Sequence, residues 1–337
     1  MRIATFNIEN LDEPGPKDPS FEDRAAILRP QLARIDADIL CLQEVHGQDV
    51  PGEARQLVVL RRLLEGTKYD GWEMRSTTLK GRRDVERFRN LVTIIRPDMS
   101  FEEAKEVAQA DMPGGPNGEP LILGPEYRFM TADPPQDVRA ITWERPMFYC
   151  RIGLPGGAGP IHVINVHYKS KRPTSVKGQG PENFQWKTAA GWAEGFFVSS
   201  MKRVGAALET RRFVDHLIDT DPEARVVVCG DLNAETHEVP VMALRGEVAD
   251  TGNPDLAPYT LYPLEESVPE DKRFTLYHHG KKNMLDHLLA SRSLLGAYRG
   301  TEIHNEIVRD ESISFGFDTK FPASDHAPVI AEFALGD

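Results

Sequence analysis

Six short apolar runs in this sequence end abruptly at acidic, amide or imidazole side chains. Asn7 closes the run that begins RIATF, and Gln43 and Glu44 close DILCL. Asn165 and His167 fall in VINVHYKSK, and Asp231 and Asn233 follow VVVC. Asp286 and His287 interrupt NMLDHLLAS, and Ser324, Asp325 and His326 stand before APVIAEF. Runs of this length, rich in Val, Ile and Leu, read as strands. Between them lie segments with helical spacing: Phe21, Ala25, Leu28, Leu32 and Ile35; then Leu57, Leu60 and Leu64; then Val204, Ala207, Leu208, Val214, Leu217 and Ile218. Strands alternating with helices predict an α/β protein. Polar side chains recurring at strand ends are the material from which layered α/β proteins build sites.

The stretch VVVCGDLNAE shows what is at stake. Gly230 can take backbone angles closed to other residues. In extended chain Asp231 and Asn233, two apart, project to the same side. A carboxylate and an amide oxygen there suit a hard cation and a phosphate; they equally suit an ordinary turn, because Asp and Asn bond their own backbone.

The rest of the chain organises around these runs. NLVTIIR is a further strand, and MFYCRI and IHVINV form a hairpin across GLPGGAGP. Residues 98–137, with nine acidic and two basic residues and the segment MPGGPNGEP, read as a loop-rich acidic insertion in a single domain spanning 1–337. The net charge of −12 argues against a general nucleic-acid-binding face. Two segments run the other way: residues 61–89 hold nine basic and five acidic residues, and 168–187 hold five basic and one acidic. Local fields near a site outweigh the total. No run approaches the roughly 18 apolar residues of a membrane span, and the N-terminus has no signal-peptide core. Cys41, Cys150 and Cys229 sit in apolar runs without a Cys-x-x-Cys, which predicts buried, reduced thiols and a cytoplasmic location.

Taken in order, ATFNIEN, DILCLQEV, VINVHYKSK, VVCGDLNAE, NMLDHLLAS and SDHAPVIAEF resemble the six motifs of the endonuclease/exonuclease/phosphatase superfamily, across residues 3–333. The resemblance implies a four-layered α/β sandwich, two packed and mostly antiparallel β-sheets flanked by helices. It also implies a divalent-metal phosphoesterase using Mg²⁺, with Mn²⁺ as a substitute.

Glu44, a carboxylate after an apolar strand, is the leading metal ligand, since Mg²⁺ prefers oxygen. By resemblance, Asn7 and Asp325 share the metal region, Asp231 orients the attacking water and Asn233 holds a phosphate oxygen. The resemblance also pairs His326 with Asp286, whose carboxylate fixes the imidazole tautomer, and brings His167 to the phosphate. Arg145, in WERPMFY, resembles the family's phosphate-side arginine. Lys169 and Lys171 leave the site directly after His167 and suit phosphate attraction; LKGRRDVERFR suggests a second basic rim. His287 points to the opposite face from Asp286, and His46 lies within reach of Glu44. The expected activity is endonuclease or exonuclease action on a nucleic-acid phosphodiester. The alternative is a phosphatase or phosphodiesterase on a small-molecule or lipid phosphate, with a non-catalytic scaffold a third reading. GDLNAET and NMLDHLL lack the arginine and the Cys-Asp-Arg run of the inositol polyphosphate 5-phosphatase subgroup.

Overall fold

The computed structural model describes residues 1–79, 82–107, 124–181, 185–313 and 320–335. The first sheet is built from β1 (Arg2–Leu11), β2 (Ile39–Val45), β3 (Glu73–Ser76), β4 (Asn90–Ile95), β15 (Tyr298–Ile303) and β16 (Val329–Phe333), in the order β15-β16-β1-β2-β4-β3. The second holds β5 (Ser100–Val107), β8 (Met147–Gly153), β9 (Pro160–His167), β10 (Val226–Asp231), β11 (Leu261–Pro263) and β14 (Asp286–Ser291), in the order β11-β14-β10-β9-β8-β5. Two hairpins stand outside them: β6 (Glu126–Tyr127) with β7 (Arg139–Ala140), and β12 (Leu276–His278) with β13 (Lys281–Asn283). The helices are α1 (Phe21–Ile35), α2 (Val58–Leu64), α3 (Ala189–Thr220), α4 (Val239–Arg245), α5 (Val248–Thr251) and α6 (Arg292–Leu295).

Each sheet has one parallel pair at its centre, β1·β2 and β9·β10, and antiparallel pairs elsewhere. The parallel pairs follow from the helices that cross between their strands, α1 in one and α3 in the other. α1 starts where Ser20 accepts the amide of Asp23 at 3.1 Å, and ends at Asp36 in the left-handed conformation.

Strand periodicity then sorts the layers. On β1, Ala4, Phe6 and Ile8 pack with Leu28 and Leu32 of α1, while Ile3 joins the core between the sheets. On β2, Leu40 and Leu42 face α1, while Ile39 and Cys41 face the other sheet. On β10, Val226 and Val228 pack under α3 with Val214, while Val227 and Cys229 face inward. The result is helix, sheet, sheet, helix, the four-layered sandwich expected from the motifs. The three cysteines are buried and unpaired between the sheets.

Part of the expected insertion is regular structure. Ser100–Val107 is an edge strand paired in antiparallel register with β8. Its charged residues, Glu102, Glu103, Lys105 and Glu106, hid it; charge on an edge strand protects it from pairing with other chains. Residues 108–123, including MPGGPNGEP, lie outside the described residues. α3 also begins fifteen residues before the Val204 at which its apolar spacing becomes legible, capped by Thr188 accepting from Gly191 at 3.0 Å.

Candidate active site

The alternation that sorts the core also assembles the site. Asn7 is in phase with Ile3, His167 with Val163, Asp231 with Val227, and Asp286 with Leu288 and Ala290. All four therefore face the space between the sheets. Asn7 sits where the regular pairing of β1 with β2 breaks, His167 and Asp231 at the C-terminal ends of the parallel strands β9 and β10, and Asp286 at the start of antiparallel β14. Asp231 pairs in register with both His167 and Asp286. His287, one residue out of phase, lies on the outer face, between the Glu265 carboxylate at 2.5 Å and the Ala234 carbonyl at 2.8 Å.

Glu44 breaks this rule. By phase it belongs with Leu40 and Leu42 under α1. Instead it takes a left-handed backbone conformation, φ 61°, where the β2–β4 register slips between Leu42 and Val45. The irregularity turns its carboxylate toward the site. One oxygen accepts the Asn10 amide at 3.1 Å, and the other lies 3.5 Å from His167 Nε2. Two residues of β1 bend in the same way: Glu9 and Asn10 are left-handed, at 50° and 43°. Arg24 of α1 holds that bend, donating to the carbonyls of Ile8 at 2.7 Å and Glu9 at 2.9 Å.

Beneath the site a polar tie joins the sheets. Gln43 donates to Asn165 Oδ1 at 2.7 Å and to Thr5 at 3.0 Å. Asn165 donates to the carbonyls of Leu42 at 3.2 Å and Val92 at 3.1 Å, where β2 and β4 part.

His326 Nδ1 lies 2.7 Å from Asp286 Oδ2, the pair expected from the motifs. Its Nε2 faces Asp231 Oδ2 at 4.0 Å and Asp325 Oδ1 at 3.9 Å. Burial disfavours the imidazolium, but Asp286, Asp325 and Asp231 outweigh it and hold His326 well above the usual histidine range. His167 is the opposite case: burial, then Arg145 and Arg89, push it well below that range, so its ring is neutral. Asp231 accepts from Asn7 at 3.1 Å and from the Asn233 amide at 2.9 Å. Burial, then Asp286, push it up to about 7. Glu9, which the motifs did not single out, accepts the Asp325 amide at 3.1 Å. Burial, then Asp325, push it up to about 8; burial raises Asp325 to about 6. The sequence signal for Glu9 was its place two residues after Asn7, in the same strand phase.

Not every expected position joins the cluster. Asn233 is not extended, since its φ of 50° turns its side-chain amide onto the Tyr168 carbonyl at 3.2 Å. The turn and the site thus share the same residues. Arg145 bonds the His167 carbonyl at 3.0 Å, bracing that strand end from behind. Lys171 is held by Glu238 at 2.6 Å, and Lys169 by Ser170 at 2.9 Å. His46 pairs with Asp12 at 3.0 Å. Arg89, from the second basic segment, approaches Glu44 at 3.8 Å.

The donor set suits a divalent cation. Oδ1 of Asp325 and Oδ1 of Asp286 are buried without a hydrogen-bond partner, and oxygen donors of this kind suit a hard cation. Among the described residues, Asp231, Asp286 and His326 bring their ligand-type atoms within 4.8 Å of one another. Asp286 and His326 are already bonded to each other, which leaves Glu9, Glu44 and Asp325 as the less committed oxygens.

A double-sheet sandwich with carboxylates and histidines gathered at one mouth is the class that this fold and site define. Residues 184–313 match the model of the Endonuclease/Exonuclease/phosphatase family. The structure is similar to an endonuclease/exonuclease/phosphatase family protein from Bacteroides thetaiotaomicron (TM-score 0.55, 15% identity, 100% of this chain and 95% of that one). It is similar to a 3′ phosphatase, NExo from Neisseria, solved with a product DNA hairpin (0.54, 16%, 99% of both chains). It also resembles TDP2 from Caenorhabditis elegans (0.54, 16%, 98% of this chain and 74% of that one). No curated protein matches the sequence. The match to the family model is confined to residues 184–313, and the solved structures share the fold of this chain.

Proposed function

We propose that this protein is a divalent-metal-dependent phosphodiesterase, a nuclease that cleaves a nucleic-acid strand by in-line attack of water. The observation that carries the proposal is the pairing of His326 with Asp286 at 2.7 Å, within 4.0 Å of Asp231. The family match and the likeness to NExo support the reading. Glu44, Asp325, Asn7 and Glu9 would hold the cation. When bound, Mg²⁺ or Mn²⁺ supplies neutralising charge at the phosphate and a more acidic water.

The chain's own groups supply the rest. Asp231, fixed by Asn7 and by the Asn233 amide, is raised to about 7 and is suited to orient a water and accept its proton. The Asp286 carboxylate fixes His326 with Nε2 directed into the site, where it donates to phosphate oxygen as charge builds. Neutral His167 offers Nε2 to a second oxygen, and Asn233 a third polar contact. Arg145 sets His167 from behind, and Lys169 contributes field at the rim. The unpaired cysteines accord with a cytoplasmic location, and no helix among the described residues is long and apolar enough to cross a membrane.

The test is a panel of single-stranded DNA, plasmid, RNA, bis-p-nitrophenyl phosphate and p-nitrophenyl phosphate, with Mg²⁺, Mn²⁺ or excess EDTA. Metal-dependent cleavage of diesters over the monoester is expected. Activity undiminished in EDTA would overturn the metal assignment, and cleavage of the monoester alone would overturn the nuclease reading.

A further inference from the structure

Glu44 leaves the site along Val45, His46 and Gly47, and a second segment is built across that exit. Asn90, fully buried, pins it by donating to the Val45 carbonyl at 2.9 Å and the Glu86 carbonyl at 2.7 Å, while accepting the Glu86 amide at 2.8 Å. The Gly47 amide donates to the Arg87 carbonyl at 3.1 Å. A Cβ at Gly47 would meet the Glu86 carbonyl at 2.5 Å, so the two backbones could not lie this close with another residue there. Arg87 closes the join through Asp49 at 2.6 Å.

What this firmly seated segment presents is unusual. Phe88 is 62% exposed, its ring edge-on to His46 at 5.3 Å. Arg89 is left-handed, φ 58°, a conformation that arginine adopts at a cost. That twist aims its guanidinium at the site, where the contact with Glu44, at 3.8 Å, is too long for a hydrogen bond. It is the one polar contact of this side chain among the described residues. An exposed aromatic ring beside a guanidinium with unused donors is the pair that grips a nucleotide: the ring stacks on a base and the guanidinium takes a phosphate.

Resting on the nuclease reading, we infer that Phe88 and Arg89 form a nucleotide clamp at the rim of the site. Phe88 stacks on the base next to the scissile bond, and Arg89 binds the neighbouring, non-scissile phosphate. The ligand is a polynucleotide strand with an accessible base, and the clamp makes the enzyme prefer it to base-free phosphodiesters.

The experiment uses the full chain, with Phe88→Ala and Arg89→Asn. Asparagine tolerates the left-handed conformation, so a melting temperature at or above that of the parent reports an intact fold. Binding of a fluorescein-labelled single-stranded oligodeoxynucleotide is followed by anisotropy across a salt series. Cleavage is compared between a dinucleotide and its analogues lacking one base. Phe88→Ala should raise KM for the dinucleotide about tenfold and have much less effect on one of the base-free analogues. Arg89→Asn should weaken oligonucleotide binding and lower the slope of log Kd against log salt by about one. Equal losses for Phe88→Ala on all three substrates, or an unchanged salt slope for Arg89→Asn, would overturn the clamp while leaving the nuclease reading intact. A parent protein that neither binds nor cleaves any of these strands would remove the nuclease reading itself.

Discussion

Asn165→Ala tests whether the polar tie between the sheets holds the site together. Asn165 is fully buried and makes three hydrogen bonds, to Gln43 at 2.7 Å and to the carbonyls of Leu42 and Val92 at 3.2 and 3.1 Å. Alanine leaves two carbonyls and one amide in the interior with a partner removed. Each buried group left unsatisfied costs about 1–3 kcal/mol. Because Gln43 retains Thr5, the expected loss is about 2–4 kcal/mol. Asn165→Asp is the sharper perturbation. It keeps the shape but replaces the donor facing two carbonyls with an acceptor, and adds a buried charge. At neutral pH it should therefore be worse than alanine. Urea unfolding followed by tryptophan fluorescence gives both values, provided the slope with denaturant is unchanged. An aspartate variant more stable than the alanine variant, or losses below about 1 kcal/mol for both, would refute the argument from unsatisfied carbonyls.

Three further outcomes are expected. His326→Ala should lower kcat by about 10²–10⁴-fold, Asp286→Asn should also be severe, and the double variant should be little worse than His326→Ala; additive losses in steady-state kinetics would separate the two residues. Lys169→Ala should raise KM and flatten the salt dependence on a polyanionic substrate, whereas Lys171→Ala should do much less, because Glu238 already neutralises that ammonium; equal effects would contradict the pairing. Burial lowers the His287 pKa, but Glu265 and the Ala234 carbonyl more than offset it, so it stands above the ordinary 6.5. Its contribution to stability is complete below pH 6.5 and is lost as pH rises through the raised value. Glu265→Gln should remove that alkaline slope in melting temperature, and parallel curves for parent and variant would sink the assignment.

The residues legible in the sequence are those that obey strand phase. Asn7, His167, Asp231 and Asp286 each continue the inward-facing series of their own strand, so apolar spacing placed them at strand ends and the motif resemblance singled them out. The residues that escaped depend on backbone turns that spacing does not encode. Glu44 was found by its chemistry alone, as its phase points it under α1 and only a left-handed residue turns it back. Glu9 keeps the phase of Asn7 but lies at a left-handed bend, Arg89 sits at another, and neither stood out individually. β5 and the first half of α3 were obscured for another reason: one is a charged edge, and the other exposes Trp192, Phe196 and Phe197 while burying Gly191, Gly195 and Ser199, so neither shows an ordinary apolar stripe.

The position of β1 bears on how the chain is made. β1 is flanked by β2 on one side and by β16 on the other, with Thr5 opposite Val329. The first partner follows β1 by a few dozen residues; the second emerges from the ribosome roughly 320 residues later. At about 5–20 residues per second, that delay is on the order of 16 to 65 seconds. Throughout it, β1 presents an unpaired backbone edge from Arg2 to Thr5, and an edge of that kind recruits strands from other chains. Nascent chains crowded on one message are thus at greatest risk of cross-pairing before β16 arrives. Chaperone supply should therefore raise the soluble yield of this protein more than stabilising substitutions in its finished core, and slowed translation, which lengthens the exposure, should lower it.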